Sequence, residues 1–407
     1  MKLLLVSQRY GHDIAGGAEQ LLRQFAQRLA ARGHHIEVLT SCARSYIDWA
    51  NSYSPGDDLV SGIPVHRLPT AMPRDNRVFA ALDRRVREPV GGAPLSMVVA
   101  EAWSTMLGPE LPGLVPWLQS RVEDFEAVVF SGYLFRTSLE GMATAAAIRP
   151  TVLQPVVHDE PYVRLPQVRA LFDHAAGICA LTEEEAALIE ARFRPPGLLR
   201  VVGGGLGPVP ALEDQVVPFG LSETPYVVSV GRVDAGKGTF ELIDFIEAYR
   251  QRRGSDIRLV LVGSNEAGAR VGDGVVITGF VDDLDRWTLT SGAEVLVQPS
   301  YFESFSLSLA EGWQVARPAL VQGRCDVLAG QVRRSGGGLT YANYAEFEVA
   351  LDVLLENPSL RRELGSAGRR YVQRYDWPSV LDAFESCVED SLRHWHACRA
   401  RLVGGSA

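Results

Sequence analysis

Short runs of apolar and β-branched residues recur at positions 3–7, 36–40, 128–130, 151–154, 178–180 and 199–202. Between them lie segments whose apolar positions repeat every three to four residues, as at 18–31 and 182–194. Strands alternating with amphipathic helices are the pattern of a parallel sheet wound with helices on both faces. The stretch 203–210, with Gly203, Gly204, Gly205, Gly207, Pro208 and Pro210, breaks all regular structure. Beyond it a second series opens, with strands at 226–230, 258–262, 275–278, 294–298 and 319–321 and helices at 239–252, 282–291 and 306–315. Residues 344–401 read as nearly continuous helix, interrupted at Asn357-Pro358 and Trp377-Pro378. The expected fold is α/β, two open parallel sheets in tandem: a first domain over 1–207, a second over 208–377 and a terminal helix over 378–407. In such sheets ligands bind outside the carboxyl ends of the strands, so the strand-to-helix loops are the places to look for chemistry.

Length supports two domains, since 407 residues exceed the size at which one hydrophobic core stops growing. With 46% hydrophobic and 22% charged residues the chain has ample core and no long disordered tract. No stretch reaches the ~20 apolar residues that span a bilayer. The opening Met1-Lys2-Leu3-Leu4-Leu5-Val6-Ser7 turns polar at Gln8-Arg9 without a small-residue cleavage site, so it reads as a strand and not as a secretory leader. Five scattered cysteines, Cys42, Cys179, Cys325, Cys387 and Cys398, have no metal-ligand spacing and fit a reduced, cytoplasmic protein. A net charge of −9 gives no support for a nucleic-acid partner. The acidity is uneven: residues 1–210 carry 20 basic and 22 acidic groups, against 20 and 27 in the remainder, so the first half is the one to approach an anionic surface. Among the 40 basic residues only Lys2 and Lys237 are lysine. An internal lysine spared in an arginine-rich chain marks a position where a compact point charge matters.

That lysine lies in Gly231-Arg232-Val233-Asp234-Ala235-Gly236-Lys237-Gly238, which follows one strand and opens a helix. Three glycines permit close backbone approach, and Arg232 and Lys237 bring two cations. The spacing is not that of a P-loop, so nucleotide hydrolysis gains nothing from it. A surface turn with incidental charges is the other reading. Further on, a strand ends at Pro299-Ser300 and the loop Tyr301-Phe302-Glu303-Ser304-Phe305-Ser306 feeds a helix carrying Glu311. Ser304 and Ser306 are N-cap residue types, and the amides of a helix start form an anion site. Such an arrangement suits a diphosphate over the helix end, with glutamates on either side accepting hydrogen bonds from hydroxyl groups. Two solvated glutamates flanking an ordinary helix satisfy the same spacing.

In this order the residues resemble the retaining glycosyltransferases of the GT-B fold grouped as glycosyltransferase family 4. The likeness rests on the Glu-x7-Glu motif from Glu303 to Glu311, preceded by Gln298-Pro299-Ser300, and on the Gly-Arg-x4-Lys-Gly loop upstream. Leu261-Val262-Gly263-Ser264 and Thr278-Gly279-Phe280-Val281 stand between them, and the resemblance covers nearly the whole chain. It implies two Rossmann-like domains with parallel sheets facing a central cleft, and C-terminal helices crossing back to the first domain. It implies that Arg232 and Lys237 bind the donor diphosphate, that Glu303 holds hydroxyls of the transferred sugar and that Glu311 holds the ribose. Gly279, Phe280 and Val281 would contact the base, with Ser304, Phe305 and Ser306 completing the donor site. Trp313 and Arg317 depart from the usual small residue and glycine, which puts the fine shape of the donor pocket in question.

In the first domain, Gln8-Arg9-Tyr10-Gly11 and Ala15-Gly16-Gly17-Ala18-Glu19 resemble the family's glycine-rich loop, so Gly16 and Gly17 are donor-side candidates; a plain tight turn is the alternative. The strand at 151–154 leads to His158, Asp159 and Glu160. The family places a His-Asp pair there beside the donor sugar, which makes His158 a catalytic candidate with Arg232, Lys237 and Glu303, and Asp159 a secondary one. Read alone, a histidine at a strand end is a satisfied structural group. Segment 66–90 mixes Arg67, Arg74, Arg77, Arg84, Arg85 and Arg87 with Val78, Phe79, Leu82 and Val86, either a stretch that touches anionic lipid or a solvated helix face. Asp283-Leu284-Asp285 has the letters of a metal-binding DxD but opens a helix, where acidic residues suit the macrodipole, so no metal and no other cofactor is expected.

The resemblance implies transfer of a sugar from a nucleotide diphosphate donor to a glycan or lipid-linked acceptor, in bacterial surface glycan, glycolipid or polysaccharide synthesis. It implies a cytoplasmic protein with room for peripheral contact at the inner membrane surface. No pair of carboxylates is placed as in a retaining glycosidase, so retention follows from the resemblance alone. The rivals are a nucleotide-sugar epimerase or phosphorylase on the same fold, and a non-catalytic nucleotide-sugar-binding protein. Epimerisation needs no acceptor, and absence of any nucleotide-sugar binding would point to a scaffold protein on a degenerate transferase fold.

Overall fold

The computed structural model describes residues 1–14, 16–88, 95–265, 268–269 and 271–404. The chain forms two compact units: Met1–Gly203 together with the chain from Val380, and Gly204–Ser379.

The first unit contains eight strands, β1 (Lys2–Val6), β2 (His35–Ser41), β3 (Gly56–Val60), β4 (Ile63–Leu68), β5 (Ala127–Ser131), β6 (Thr151–Gln154), β7 (Gly177–Ala180) and β8 (Leu198–Val201). They form one sheet in the order β3-β4-β2-β1-β5-β6-β7-β8. Among the described residues each neighbouring pair is parallel except β3 with β4. Leu3, Leu4, Leu5, Val128, Val152 and Leu153 have no exposed surface. Helices cover both faces, and this double burial is why these strands read as continuous apolar runs.

The second unit holds β9 (Tyr226–Val230), β10 (Arg258–Val262), β11 (Val275–Gly279), β12 (Val295–Gln298), β13 (Ala319–Gln322) and β14 (Gly338–Tyr341), paired in parallel in the order β11-β10-β9-β12-β13-β14. In each sheet the strand order reverses once near the middle: between β1 and β5 in the first, between β9 and β12 in the second. Connections on either side of such a reversal leave to opposite faces, which opens a crevice at the carboxyl ends.

Eleven strands lie where the apolar runs predict them, whereas β3, β4 and β14 were not expected. In β3 only Val60 is buried, and in β14 only Tyr341, so the edge strands carry too few apolar residues to stand out. Helices Met97–Leu107, Leu114–Arg121, Arg136–Ala146, Pro166–Asp173 and Asp326–Ser335 were also unforeseen. Met97–Leu107 is apolar nearly all round and so lacks periodic contrast. Asp326–Ser335 starts from Cys325 without a side-chain cap.

The last helix, Trp377–Gly404, packs on the first unit from Val380 onward. Phe384 meets Phe25 with ring centroids 4.9 Å apart, Arg32 bonds Asp382 and Glu385, and Cys387 Sγ lies 3.8 Å from the Ile178 carbonyl oxygen. Gly177 is demanded by this contact, since a Cβ there would lie 1.7 Å from Ser391 Oγ.

Candidate functional site

In the second unit the loops after β9 and β12 leave the two strands that flank the reversal, and they approach so closely that a Cβ on Gly238 would lie 2.4 Å from the Pro299 carbonyl oxygen. Gly238 also has φ 70, so only glycine suits both the space and the backbone. Asp234 shapes this loop by accepting from the Lys237 amide at 2.8 Å. The loop in turn sends the Lys237 side chain to Glu303, with Nζ donating to Oε1 at 2.7 Å. Glu303 is mostly buried and Lys237 about a third exposed. Arg232 stands half exposed on the same loop, 3.4 Å from Asp234.

Gln298, the last residue of β12, orders the far side of the loop. Its Nε2 donates to Ser306 Oγ at 2.7 Å and to Ser308 Oγ at 3.0 Å. Ser306 sits at the N-cap of helix Leu307–Gln314 with φ 66, and its side chain makes no capping bond. The expectation that Ser306 would cap it is therefore corrected, since its hydroxyl is engaged by Gln298. Ser304 is buried. The Phe305 side chain is 3% exposed and packs edge-on to Tyr375 at 4.9 Å, so it anchors the loop and only its backbone can face a ligand.

Glu311 is held by a residue the sequence reading missed. Arg286 Nη1 donates to Glu311 Oε2 at 2.5 Å, and Arg286 Nη2 also pairs with Asp283 at 3.2 Å. Burial pushes the Glu311 carboxyl above the usual range, and the guanidinium opposes that shift. Nothing in the sequence singles out Arg286 among 38 arginines. Upstream, Gly279 takes φ 72 at the end of β11 and leaves Phe280 81% exposed, with Val281 intermediate. In the adjoining acidic run, Asp282 caps helix Asp283–Gly292 by accepting from the Asp285 amide at 2.8 Å, and Asp283 faces Arg286.

Trp313 and Arg317, whose unusual size put the pocket shape in question, serve packing. The Trp313 indole donates to the Gly337 carbonyl at 2.8 Å and its ring meets Tyr371. Arg317 donates to the Ala293 carbonyl at 3.0 Å.

In the first unit, Gly16 and Gly17 begin helix Gly17–Ala31, again without a side-chain cap. A Cβ on Gly16 would lie 2.0 Å from Glu19 Oε2, whereas Gly17 has open space around it. Glu19 is buried and accepts from Gln8 Nε2 at 2.9 Å and Arg9 Nε at 3.1 Å, which locks the loop after β1. His158 follows β6, with Nδ1 3.3 Å from Glu160 Oε1; Tyr133 donates to the same oxygen at 2.6 Å. Asp159 instead meets Arg192 at 3.0 Å at the surface. A second residue missed by sequence is Glu185, 1% exposed, which accepts from the Val157 amide at 2.7 Å and the Leu181 amide at 2.6 Å. Its signal was present as Thr182-x-x-Glu185, the pattern of a capping box.

Within segment 66–90, helix Asn76–Arg87 is neither fully solvated nor free: Asp83 accepts from Tyr162 at 2.6 Å and Trp103 at 3.1 Å, and Arg87 bonds Asp83. Arg77, Arg84 and Arg85 are exposed, and Pro89 and Val90 lie outside the described residues. Val78, Leu82, Met97, Val98 and Met106 line an apolar groove of about 700 Å³ beside this helix.

Both units match known protein families. Residues 16–205 match the glycosyl transferase 4-like domain, and residues 214–371 match the glycosyl transferases group 1. The chain belongs to the GT-B glycosyltransferases of the family 4 type. This glycosyltransferase is 23% identical to a D-inositol 3-phosphate glycosyltransferase of Pseudarthrobacter chlorophenolicus, over 94% of its own length and 93% of the relative. It is 30% identical to an alpha-D-kanosaminyltransferase of Streptomyces kanamyceticus, over 36% of its own length and 40% of the relative. Among solved structures, sucrose-phosphate synthase from Thermosynechococcus elongatus shares the fold with a TM-score of 0.69 at 18% identity, covering 95% of this chain and 98% of that one. Anabaena HepE in complex with UDP and glucose gives 0.69 at 16% identity, covering 96% and 99%. Among the described residues, no helix of the glycosyltransferase is long and apolar enough to cross a membrane.

Proposed function

We propose that this glycosyltransferase moves a sugar from a nucleoside diphosphate sugar to an acceptor hydroxyl, with retention of anomeric configuration and without a metal ion. The observation that carries this reading is the Lys237–Glu303 pair at 2.7 Å, with Arg232 on the same loop, at the carboxyl ends of β9 and β12. Two cations and the amides at the start of helix Leu307–Gln314 suit a departing diphosphate, and the adjoining carboxylate suits sugar hydroxyls. HepE, of the same fold, was solved with UDP-glucose.

In the proposed step the acceptor oxygen bonds to the anomeric carbon on the face the diphosphate leaves. The bond from that carbon to the phosphate oxygen breaks, its electron pair stays on the phosphate, and the acceptor proton passes to a phosphate oxygen. Arg232 and Lys237 stabilise the charge that develops on the leaving group, which is the role a metal would otherwise fill. Glu303 holds hydroxyls of the sugar, Glu311 the ribose, and His158 keeps the role at the transferred sugar that the family resemblance gives it. Gly16 and Gly17 offer helix-start amides in the first unit, and Gly279 to Val281 the surroundings of the base. The acceptor is a glycan or a lipid-linked saccharide of a bacterial surface polymer. The apolar groove beside Arg77, Arg84 and Arg85 supports peripheral contact with an anionic membrane surface at the cytoplasmic face.

Titration calorimetry of the full chain with UDP, GDP and ADP, each with and without a chelator, tests the donor claim. One nucleotide is expected to bind equally well in both conditions; binding of none overturns the reading, and loss with chelator overturns metal independence. Glu311→Gln should weaken that nucleotide by about 1.5–3 kcal/mol, the range for a hydrogen bond to a charged group. Glu303→Gln should spare nucleotide affinity and lower turnover; a parallel fall in both variants would contradict the division of roles. Conversion of donor alone into an isomeric nucleotide sugar would favour an epimerase.

A further inference from the structure

After β6 the chain passes through Pro155-Val156-Val157 to His158, and Val156 has φ 55. A β-branched residue in the left-handed region is strained, and such strain persists only where the surroundings over-determine it. The over-determination comes from outside the loop. Glu185, in the first turn of helix Glu183–Arg192, places one carboxylate oxygen 2.7 Å from the Val157 amide and the other 2.6 Å from the Leu181 amide. One side chain thereby ties the end of β6 to the end of β7.

A helix-capping role does not account for this. The Thr182 hydroxyl already accepts from the Glu185 amide at 3.2 Å, and the Val157 amide belongs to a loop 28 residues away in sequence. The carboxylate is 1% exposed, and among the described residues no lysine or arginine pairs with it. Burial pushes its pKa up to about 7, against the hydrogen bonds from the backbone and the nearby His158 ring. A buried carboxylate without a cation is costly, and such groups cluster at functional sites. His158 itself lies 3.3 Å from Glu160, which Tyr133 holds in turn.

We propose that Glu185 is a positioning residue of the glycosyltransferase, whose carboxylate fixes the turn at Val156 and Val157 and so sets the place of the His158 imidazole. This rests on the role given above to His158. The ring resonances of isotope-labelled histidine in the full chain report on it, with the His158 signal assigned by its loss in His158→Gln. In Glu185→Gln, whose amide group turns one N–H toward a backbone N–H, the His158 signal should shift or broaden while those of His34 and His66 in the same unit stay in place. Turnover of the nucleoside diphosphate sugar consumed by wild type should fall by about tenfold or more, chiefly in kcat, as displacement of a reacting group predicts. Glu185→Asp, which keeps the charge on a shorter stem, should recover part of both.

A folded Glu185→Gln with an unmoved His158 signal and normal kcat overturns the proposal. If Glu185→Gln does not fold, Val156→Gly/Glu185→Gln carries the same readings, because glycine accepts φ 55 without penalty. Failure of the transferase reading itself appears separately, as absence of nucleotide binding to wild type, and leaves the resonance comparison intact.

Discussion

At the scale of single residues, Lys237 gives the sharpest test. Its ammonium reaches Glu303 at 2.7 Å from a loop that the close approach of Gly238 to Pro299 holds in place. Arginine spreads the same charge over a rigid planar fork. Lys237→Arg should lower kcat/KM by at least about tenfold, since a misplacement of about 1 Å is that costly. Thermal unfolding should stay within a few degrees of wild type. Near-normal turnover would show that Lys237 only solvates its loop. Glu185 yields a second prediction with a definite sign. Its folded-state pKa is raised to about 7, above the ordinary carboxylate value, so the folded state holds a proton that the unfolded chain releases earlier. The stability that proton contributes is present below the unfolded pKa and is lost as pH rises toward 7, amounting to about 3 kcal/mol over that window. In chemical denaturation, wild type should therefore lose stability relative to Glu185→Gln between pH 5 and pH 8. A difference that does not change with pH would mean that the carboxyl is not shifted.

At the scale of elements, the sequence disclosed strands written as apolar runs and many of the helices that follow them, because both leave local patterns. It did not disclose β3 or β14, whose register comes from pairing with a neighbour and which bury one residue each. The same division runs through the site. Arg232, Lys237, Glu303 and Glu311 were legible because loop chemistry and spacing are local. Arg286 was not, since its partner lies 25 residues away, and Glu185 was legible only as part of a capping box, since the Val157 amide lies 28 residues away. The contact between β7 and the last helix is equally non-local and can be tested at one atom. Gly177→Ala places a methyl 1.7 Å from the buried Ser391 hydroxyl, which already bonds the Cys387 carbonyl. Overpacking of this kind costs about 1–3 kcal/mol. A melting temperature lower by several degrees is expected for Gly177→Ala, with no comparable change for Gly207→Ala, where a Cβ meets nothing within 4 Å. Equal effects of the two substitutions would show that the last helix is not seated on β7 as described.

At the scale of the molecule, the two units differ in how the chain builds them. The second is one continuous segment, Gly204–Ser379. The first is made of two segments separated by the whole of the second, and Val380, Leu381, Phe384, Cys387 and Val388 complete its core. A fragment of residues 204–379 should therefore unfold cooperatively on its own, while a fragment of residues 1–203 should bind hydrophobic dyes and aggregate until a peptide of residues 380–404 is added. Independent cooperative folding of the 1–203 fragment would show that the returning helix is dispensable. The split also sets an order of events on the ribosome. Domains ordinarily fold as they emerge, the N-terminal one first. Here the first unit waits for residues 380–404 to leave the exit tunnel, so the unit begun first is finished last, and a chain cut short at Ser379 is released with its second unit complete and its first unit unfinished.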